Sequence, residues 1–97
     1  MDVIGKEVLE DAKAKHTAAK VPIETWLQTM QGCMAQHPPD LKKTFGSVDV
    51  VSPQTVFDIG GNKWRLIAEI HYQDQTVVVT HFLTHKEYDT NKWKRNK

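Results

Sequence analysis

Two short stretches concentrate groups that can handle protons and phosphate. Lys63 and Arg65 open one β-like run, and Thr84-His85-Lys86-Glu87-Tyr88-Asp89 closes the next. Arginine presents a planar fork that matches phosphate oxygens. Histidine, with an unperturbed pKa of about 6.5, can give or take a proton near neutrality. A phenol next to cations can lose its proton more easily, or its ring can stack on another flat group. Asp89 can orient an imidazole or a lysine. Plainer roles compete with these. Arg65 can form a surface ion pair with Glu69 or Asp89, worth about 0–1 kcal/mol. His85 can cap a short helix, and Tyr88 can be an anchor with a wet hydroxyl.

Other candidates carry less. His81 and His85 form an H-x-x-x-H pair, but on a strand they lie about 13 Å apart, too far to share one zinc. His16 on a helical stripe reads as half-buried packing. Cys33 is the sole cysteine, so no intramolecular disulfide and no cysteine-based zinc cluster is expected. Gly60-Gly61 precedes a strand, so the helix N-terminus that a phosphate loop requires is missing. No metal and no cofactor is expected.

The elements that must position these groups follow from periodicity. Asp2-Val3-Ile4 is a short extended candidate. Val8, Leu9, Ala12, His16 and Ala19 describe one face of a helix from Lys6 to about Ala19. Pro22 suits the first turn of a second helix, whose apolar stripe is Ile23, Trp26, Leu27, Met30 and Met34. That helix should end before Pro38-Pro39. Asp40 can cap a further turn through Phe45, closed by Gly46. Strands are expected at Thr55–Ile59, Lys63–Tyr72 and Thr76–Thr84, with a short terminal helix at Lys86–Asn91. Trp64, Leu66, Ala68, Ile70 and Tyr72 should face the helices, leaving Lys63, Arg65, Glu69 and His71 on the opposite, open face. A three-residue hairpin at Gln73-Asp74-Gln75 would set Tyr72 against Thr76, Arg65 against Leu83 and Lys63 against His85. The fold class is therefore α+β, with two N-terminal helices packed on a small antiparallel sheet.

Size and charge bound the rest. With 97 residues, 39% hydrophobic and 26% charged, residues 1–97 read as a single small globular domain. The formal charge is +1. His85 to Lys97 holds five basic residues and two acids, a local +3 that leaves −2 elsewhere. A basic tail can meet a phosphate backbone by releasing counterions, or can simply be a solvated end. No apolar run approaches the roughly 20 residues of a membrane span. The first fifteen residues carry charges where a signal peptide needs its apolar stretch, so a cytoplasmic protein is expected.

The stretch Val56-Phe57-Asp58-Ile59-Gly60-Gly61-Asn62-Lys63-Trp64-Arg65-Leu66-Ile67-Ala68 resembles the central block of HigB toxins in the RelE-like superfamily. Thr84-His85-Lys86-Glu87-Tyr88-Asp89 resembles that family's C-terminal signature. The Val3-Ile4 start, the Pro39-Asp40-Leu41-Lys42 segment and Ser47-Val48-Asp49 also fit, so the resemblance spans nearly the whole chain. It implies a β-α-α-β-β-β RelE-like fold and the toxin of a type II toxin–antitoxin pair. Such a toxin is a metal-independent endoribonuclease that cuts mRNA on the ribosome. A HigA-type helix-turn-helix antitoxin is the implied partner. Carried over residue by residue, the implied catalytic set is Arg65 for phosphate charge, His85 for acid or base, Tyr88 for base or stacking, and Asp89 to orient His85 or Lys92. Lys63, Lys86, Lys92 and Lys94 are the candidate RNA-binding residues: Lys86 belongs to the signature, Lys63 and Asn62 give only support from the first block, and Lys92 or Lys94 come from the basic tail as replacements for a second phosphate-binding cation. Members often carry a basic residue about five positions before the signature histidine; here that position is Thr80, followed by His81. The alternative reading is a catalytically inactive RelE-like RNA- or protein-binding module.

Overall fold

The computed structural model describes residues 1–46, 48–51, 53–61, 63–90 and 93. Its elements run β1 (Asp2–Ile4), α1 (Lys6–Lys15), a 3₁₀ turn (Thr17–Ala19), α2 (Lys20–Gln31), α3 (Pro38–Phe45), β2 (Val48–Val51), β3 (Gln54–Ile59), β4 (Trp64–His71), β5 (Thr76–Thr84) and α4 (His85–Asp89). The strands form one five-stranded sheet in the order β1-β5-β4-β3-β2, parallel only between β1 and β5. This is the expected α+β layout with one strand more than the periodicity predicts. β2 has only four residues, too few to establish an alternation. Among the described residues no helix is long and apolar enough to cross a membrane.

The helices depart from expectation at their ends. α1 stops at Lys15, and the chain tightens into the 3₁₀ turn instead of continuing to Ala19. α2 starts at Lys20, so Pro22 occupies its first turn, where a missing N–H breaks no helical bond. It ends at Gln31, leaving Met34 beyond the apolar stripe and 78% exposed. The Met1 amino group donates to the carbonyls of Met30, Gln31 and Cys33 at this end. A cation there satisfies orphan acceptors and complements the helix dipole. α3 has His37 as its N-cap and Pro38 in its first position, three residues before the expected cap at Asp40. The Asp40 carboxylate instead accepts a hydrogen bond from the Gln36 backbone N–H at 3.1 Å.

One face of the sheet packs on the helices. Leu9, Ile23, Met30, Leu41, Phe57, Leu66, Ala68 and Val77 are essentially inaccessible there. Trp26 and Phe45 meet Phe57 edge-on, at centroid distances of 5.4 and 5.1 Å. Such contacts exceed simple area burial by about 0.5–1.5 kcal/mol each. Ile70 and Tyr72 pack against the same core, as their parity with Trp64, Leu66 and Ala68 predicts.

Two details set the register of β4 and β5. The connection between them holds four residues rather than three, and His71 pairs with Thr76. Gln75 adopts a left-handed φ of 53° and its side-chain amide donates to the carbonyls of Tyr72 and Ala35. The one-residue offset then disappears at a β-bulge: Ala68 faces Val79, while Ile67 faces His81, with Thr80 the extra residue. Beyond the bulge Arg65 faces Leu83, the predicted pairing. The β3–β4 turn depends on Gly60, whose φ is +65° and where a Cβ would lie 2.6 Å from the Trp64 ring. Only glycine fits both constraints.

Candidate functional site

Opposite residues in an antiparallel pair share a face. Asp58 faces Arg65, Arg65 faces Leu83, and Ile67 lies between Val56 and His81. These residues line the sheet surface away from α1 and α2. α4 begins directly where β5 ends. Thr84 is its N-cap: the hydroxyl accepts from the Glu87 backbone N–H at 3.1 Å, and the Glu87 carboxylate accepts from the Thr84 N–H at 2.9 Å. This reciprocal box turns the chain sharply and holds His85 at the first helical position. The His85 N–H also donates to the Lys63 carbonyl at 3.2 Å, tying the helix start to the beginning of β4.

Arg65 is the buried centre of the surface. Its Nε donates to Asp58 Oδ1 at 3.1 Å, and its side chain is only 10% exposed. Nη1 donates to the Trp64 carbonyl at 3.3 Å. Tyr88 covers the guanidinium, with Cζ 5.3 Å from the ring centroid. Trp93 stacks on the Tyr88 ring at 5.0 Å and 15°, and its indole N–H donates to the Tyr88 carbonyl at 2.8 Å. Trp93 also joins Val56 and Ile67 in a second small core, with Val51, Leu83 and Tyr88 against it. The expectation that Arg65 stands on an open face is therefore corrected. The Tyr88 ring from α4 covers it.

Tyr88 is corrected as well. Its phenol is raised above the ordinary value near 10, chiefly by burial and then by the Asp49 carboxylate, with Asp58 and Asp89 adding to the rise. Arg65 pulls the other way and does not prevail. The hydroxyl is held protonated at neutral pH, opposite to the easier ionisation expected beside cations.

His85 Nδ1 lies 3.1 Å from Asp89 Oδ2 one turn along α4, with the two side chains 51% and 61% exposed. The i,i+4 spacing places them on one helix face. Of the two expected roles for Asp89, contact with His85 is present; Lys92 lies outside the described residues, as do Lys94 and Asn62. Lys86 is exposed on α4. Lys63 leans over the Trp64 ring, 5.9 Å from its centroid, toward the helix-side core rather than Arg65.

The surface thus joins a guanidinium, a carboxylate-bound imidazole and a protonated phenol. Such a set can neutralise an oxyanion and transfer protons. Sequence reasoning missed Asp58 and Trp93. Asp58 had a signal, since it and Arg65 sit symmetrically about the turn that joins Ile59 to Trp64. Trp93 had none, because nothing in the strand and helix periods requires the tail to return.

Residues 19–91 match the family model described as HigB_toxin, RelE-like toxic component of a toxin–antitoxin system. The chain is 30% identical over 92 residues to the mRNA interferase toxin HigB of Escherichia coli K12, covering 92% of this chain and 88% of that protein. The mRNA interferase HigB of Shigella flexneri matches with the same identity and coverage. That of Escherichia coli O6:H1 is 26% identical over 102 aligned positions, covering 100% of this chain and 99% of the relative. The matched span includes both sequence blocks and every element from α2 to α4, and the chain belongs to the HigB toxin family of RelE-like toxic components of toxin–antitoxin systems.

Proposed function

We propose that this toxin is an endoribonuclease that cleaves mRNA and so stops translation in the bacterial cytoplasm. RNA brings its own nucleophile, the 2′-hydroxyl. The protein must take that proton, offset charge on the pentacoordinate phosphorus, and protonate the departing 5′-oxygen. No step needs a metal. The products are a 2′,3′-cyclic phosphate, or its opened form, and a 5′-hydroxyl. The observation that carries the reading is the His85–Asp89 pair, fixed by the Thr84 capping box beside Arg65.

In this reading His85 transfers a proton, Asp89 orients its ring, and Arg65 supplies positive charge near the phosphate. Tyr88, with its raised phenol, acts through its ring and its contact with Arg65 rather than as a base. Lys63, Lys86, Lys92 and Lys94 contribute to RNA affinity. The ribosome presents the mRNA and provides orientation that a 97-residue chain does not. A HigA-type helix-turn-helix antitoxin neutralises the toxin.

The test is single-turnover cleavage of mRNA on programmed ribosomes, with cell growth after expression of the chain alone as a second readout. Defined cuts and growth arrest are expected. Intact mRNA at saturating protein would overturn the reading. The burial of Arg65 under Tyr88 favours one rival, an inactive RNA- or protein-binding module. A nuclease stops cell-free translation at sub-stoichiometric amounts, whereas a binder needs about one molecule per ribosome.

A further inference from the structure

The bulge at Thr80 turns a different residue toward the site than simple alternation would. With no bulge, Thr80 would follow Val79 onto the Arg65 face, opposite Ile67. The extra residue puts His81 there. His81 is a diagonal neighbour of Arg65, and such neighbours have Cα atoms about 7–8 Å apart, within reach of long side chains. It also lines a groove of about 360 Å³ with Leu83, Glu87, Thr90 and Trp93. His85 lies on the other side of Leu83, two residues along the chain. Arg65, opposite Leu83, is therefore level with the midpoint between the two histidines.

The hydrogen bonds decide which nitrogen of His81 is available. Thr80 Oγ1 lies 3.2 Å from the Ile67 carbonyl and 3.0 Å from His81 Nδ1. A hydroxyl has one hydrogen, and the carbonyl can only accept. Thr80 therefore donates to Ile67 and accepts from His81 Nδ1–H. In neutral His81 this leaves the lone pair on Nε2. His85 differs in its partner: its Nδ1 lies 3.1 Å from the Asp89 carboxylate, one turn along α4, whereas His81 Nδ1 meets the Thr80 hydroxyl.

The geometry points to His81 as the general base of the cleavage step and Thr80 as its positioning residue. The inference rests on the proposed ribonuclease reading. His81 Nε2 takes the 2′-hydroxyl proton as the 2′-oxygen bonds to phosphorus. The P–O5′ bond breaks, and protonated His85 gives its proton to the departing 5′-oxygen. The cyclic phosphate and the 5′-hydroxyl form with charge and protons balanced.

The test uses single-turnover cleavage on programmed ribosomes at saturating protein, with two substrates. One is ordinary RNA. The other carries sulfur in place of the leaving 5′-oxygen, so departure needs no acid. On ordinary RNA, H81Q and H85Q should each slow cleavage about 10²–10⁴-fold, the range for an acid or base. The sulfur substrate should restore H85Q toward wild type and leave H81Q slow. T80V should slow ordinary cleavage about tenfold, the worth of one hydrogen bond, with T80S near wild type. Wild-type cleavage by H81Q, or its rescue by the sulfur substrate, overturns the assignment. If H81Q fails to fold, the Thr80 pair decides, and T80V equal to T80S overturns it. Failure of the wild-type chain to cut either substrate would instead remove the ribonuclease reading itself.

Discussion

The two faces of one sheet are built on different rules. The helix side is apolar and interlocked: Phe57, Leu66 and Val77 are 1% exposed or less, and aromatic rings meet edge to face. The other side, among the described residues, has a three-residue core of Val56, Ile67 and Trp93, bordered by the Arg65–Asp58 ion pair and two histidines. Burial on the first side supplies stability without chemistry. The second side keeps charged and titratable groups, held by caps and stacks rather than by a deep core. A sheet this small can afford one polar face because the other is nearly dry.

Activity gives the largest contrast between the faces. His85→Ala should lower the cleavage rate about 10²–10⁴-fold, yet leave the urea midpoint unchanged, because the side chain is half exposed. A large stability loss would mean that His85 is structural. Phe57→Ala should do the reverse, costing about 3–5 kcal/mol in urea unfolding. Trp93→Ala should cost less, about 1–3 kcal/mol. Equal losses for Phe57 and Trp93 would erase the distinction between the faces.

Arg65 joins the two rules. Arg65→Ala leaves Asp58 without the guanidinium and Tyr88 without its support, so stability should fall by about 1–3 kcal/mol along with activity. The loss should be smaller when Asp58→Ala is already present. Full additivity in that cycle would show that the 3.1 Å pair contributes nothing. Thr84→Ala removes the cap and should cost about 0.5–2 kcal/mol, while lowering activity by loosening His85.

Tyr88 sharpens the comparison through pH. Its folded-state value lies above the ordinary value near 10. The unfolded chain therefore releases this proton first. The associated stability is complete below about pH 10 and is lost as pH rises through the higher folded value. Alkaline unfolding of Tyr88→Phe, compared with wild type, should show a shallower decline above pH 10. Identical slopes would count against a raised phenol.

Much of this was legible from the alternation of Trp64 to Tyr72, which assigns the helix-facing residues correctly. Even the Arg65–Leu83 pairing was, though through two offsetting errors. The hairpin loop has one residue more than expected, and the Thr80 bulge absorbs it. A bulge leaves no mark on hydropathy, so nothing in the run Val77-Val78-Val79-Thr80-His81 announces that His81 takes the inward place. The burial of Arg65 was illegible for another reason. It depends on α4 laying the Tyr88 ring over the guanidinium, a contact between two elements that neither element's period announces. The capping box, by contrast, is written in Thr84 and Glu87, three residues apart at the end of a strand.

The Tyr88–Trp93 stack makes the site a matter of competition. Trp93 is 5% exposed and covers one face of the Tyr88 ring. A nucleobase placed on that face must first evict the indole. Its apparent affinity is then its intrinsic affinity scaled by the fraction of molecules in which Trp93 has left. A vacant fraction of roughly one in a hundred would weaken binding about a hundredfold. On that competition, the higher the fraction of molecules in which Trp93 has left, the lower the concentration at which a stacking base binds.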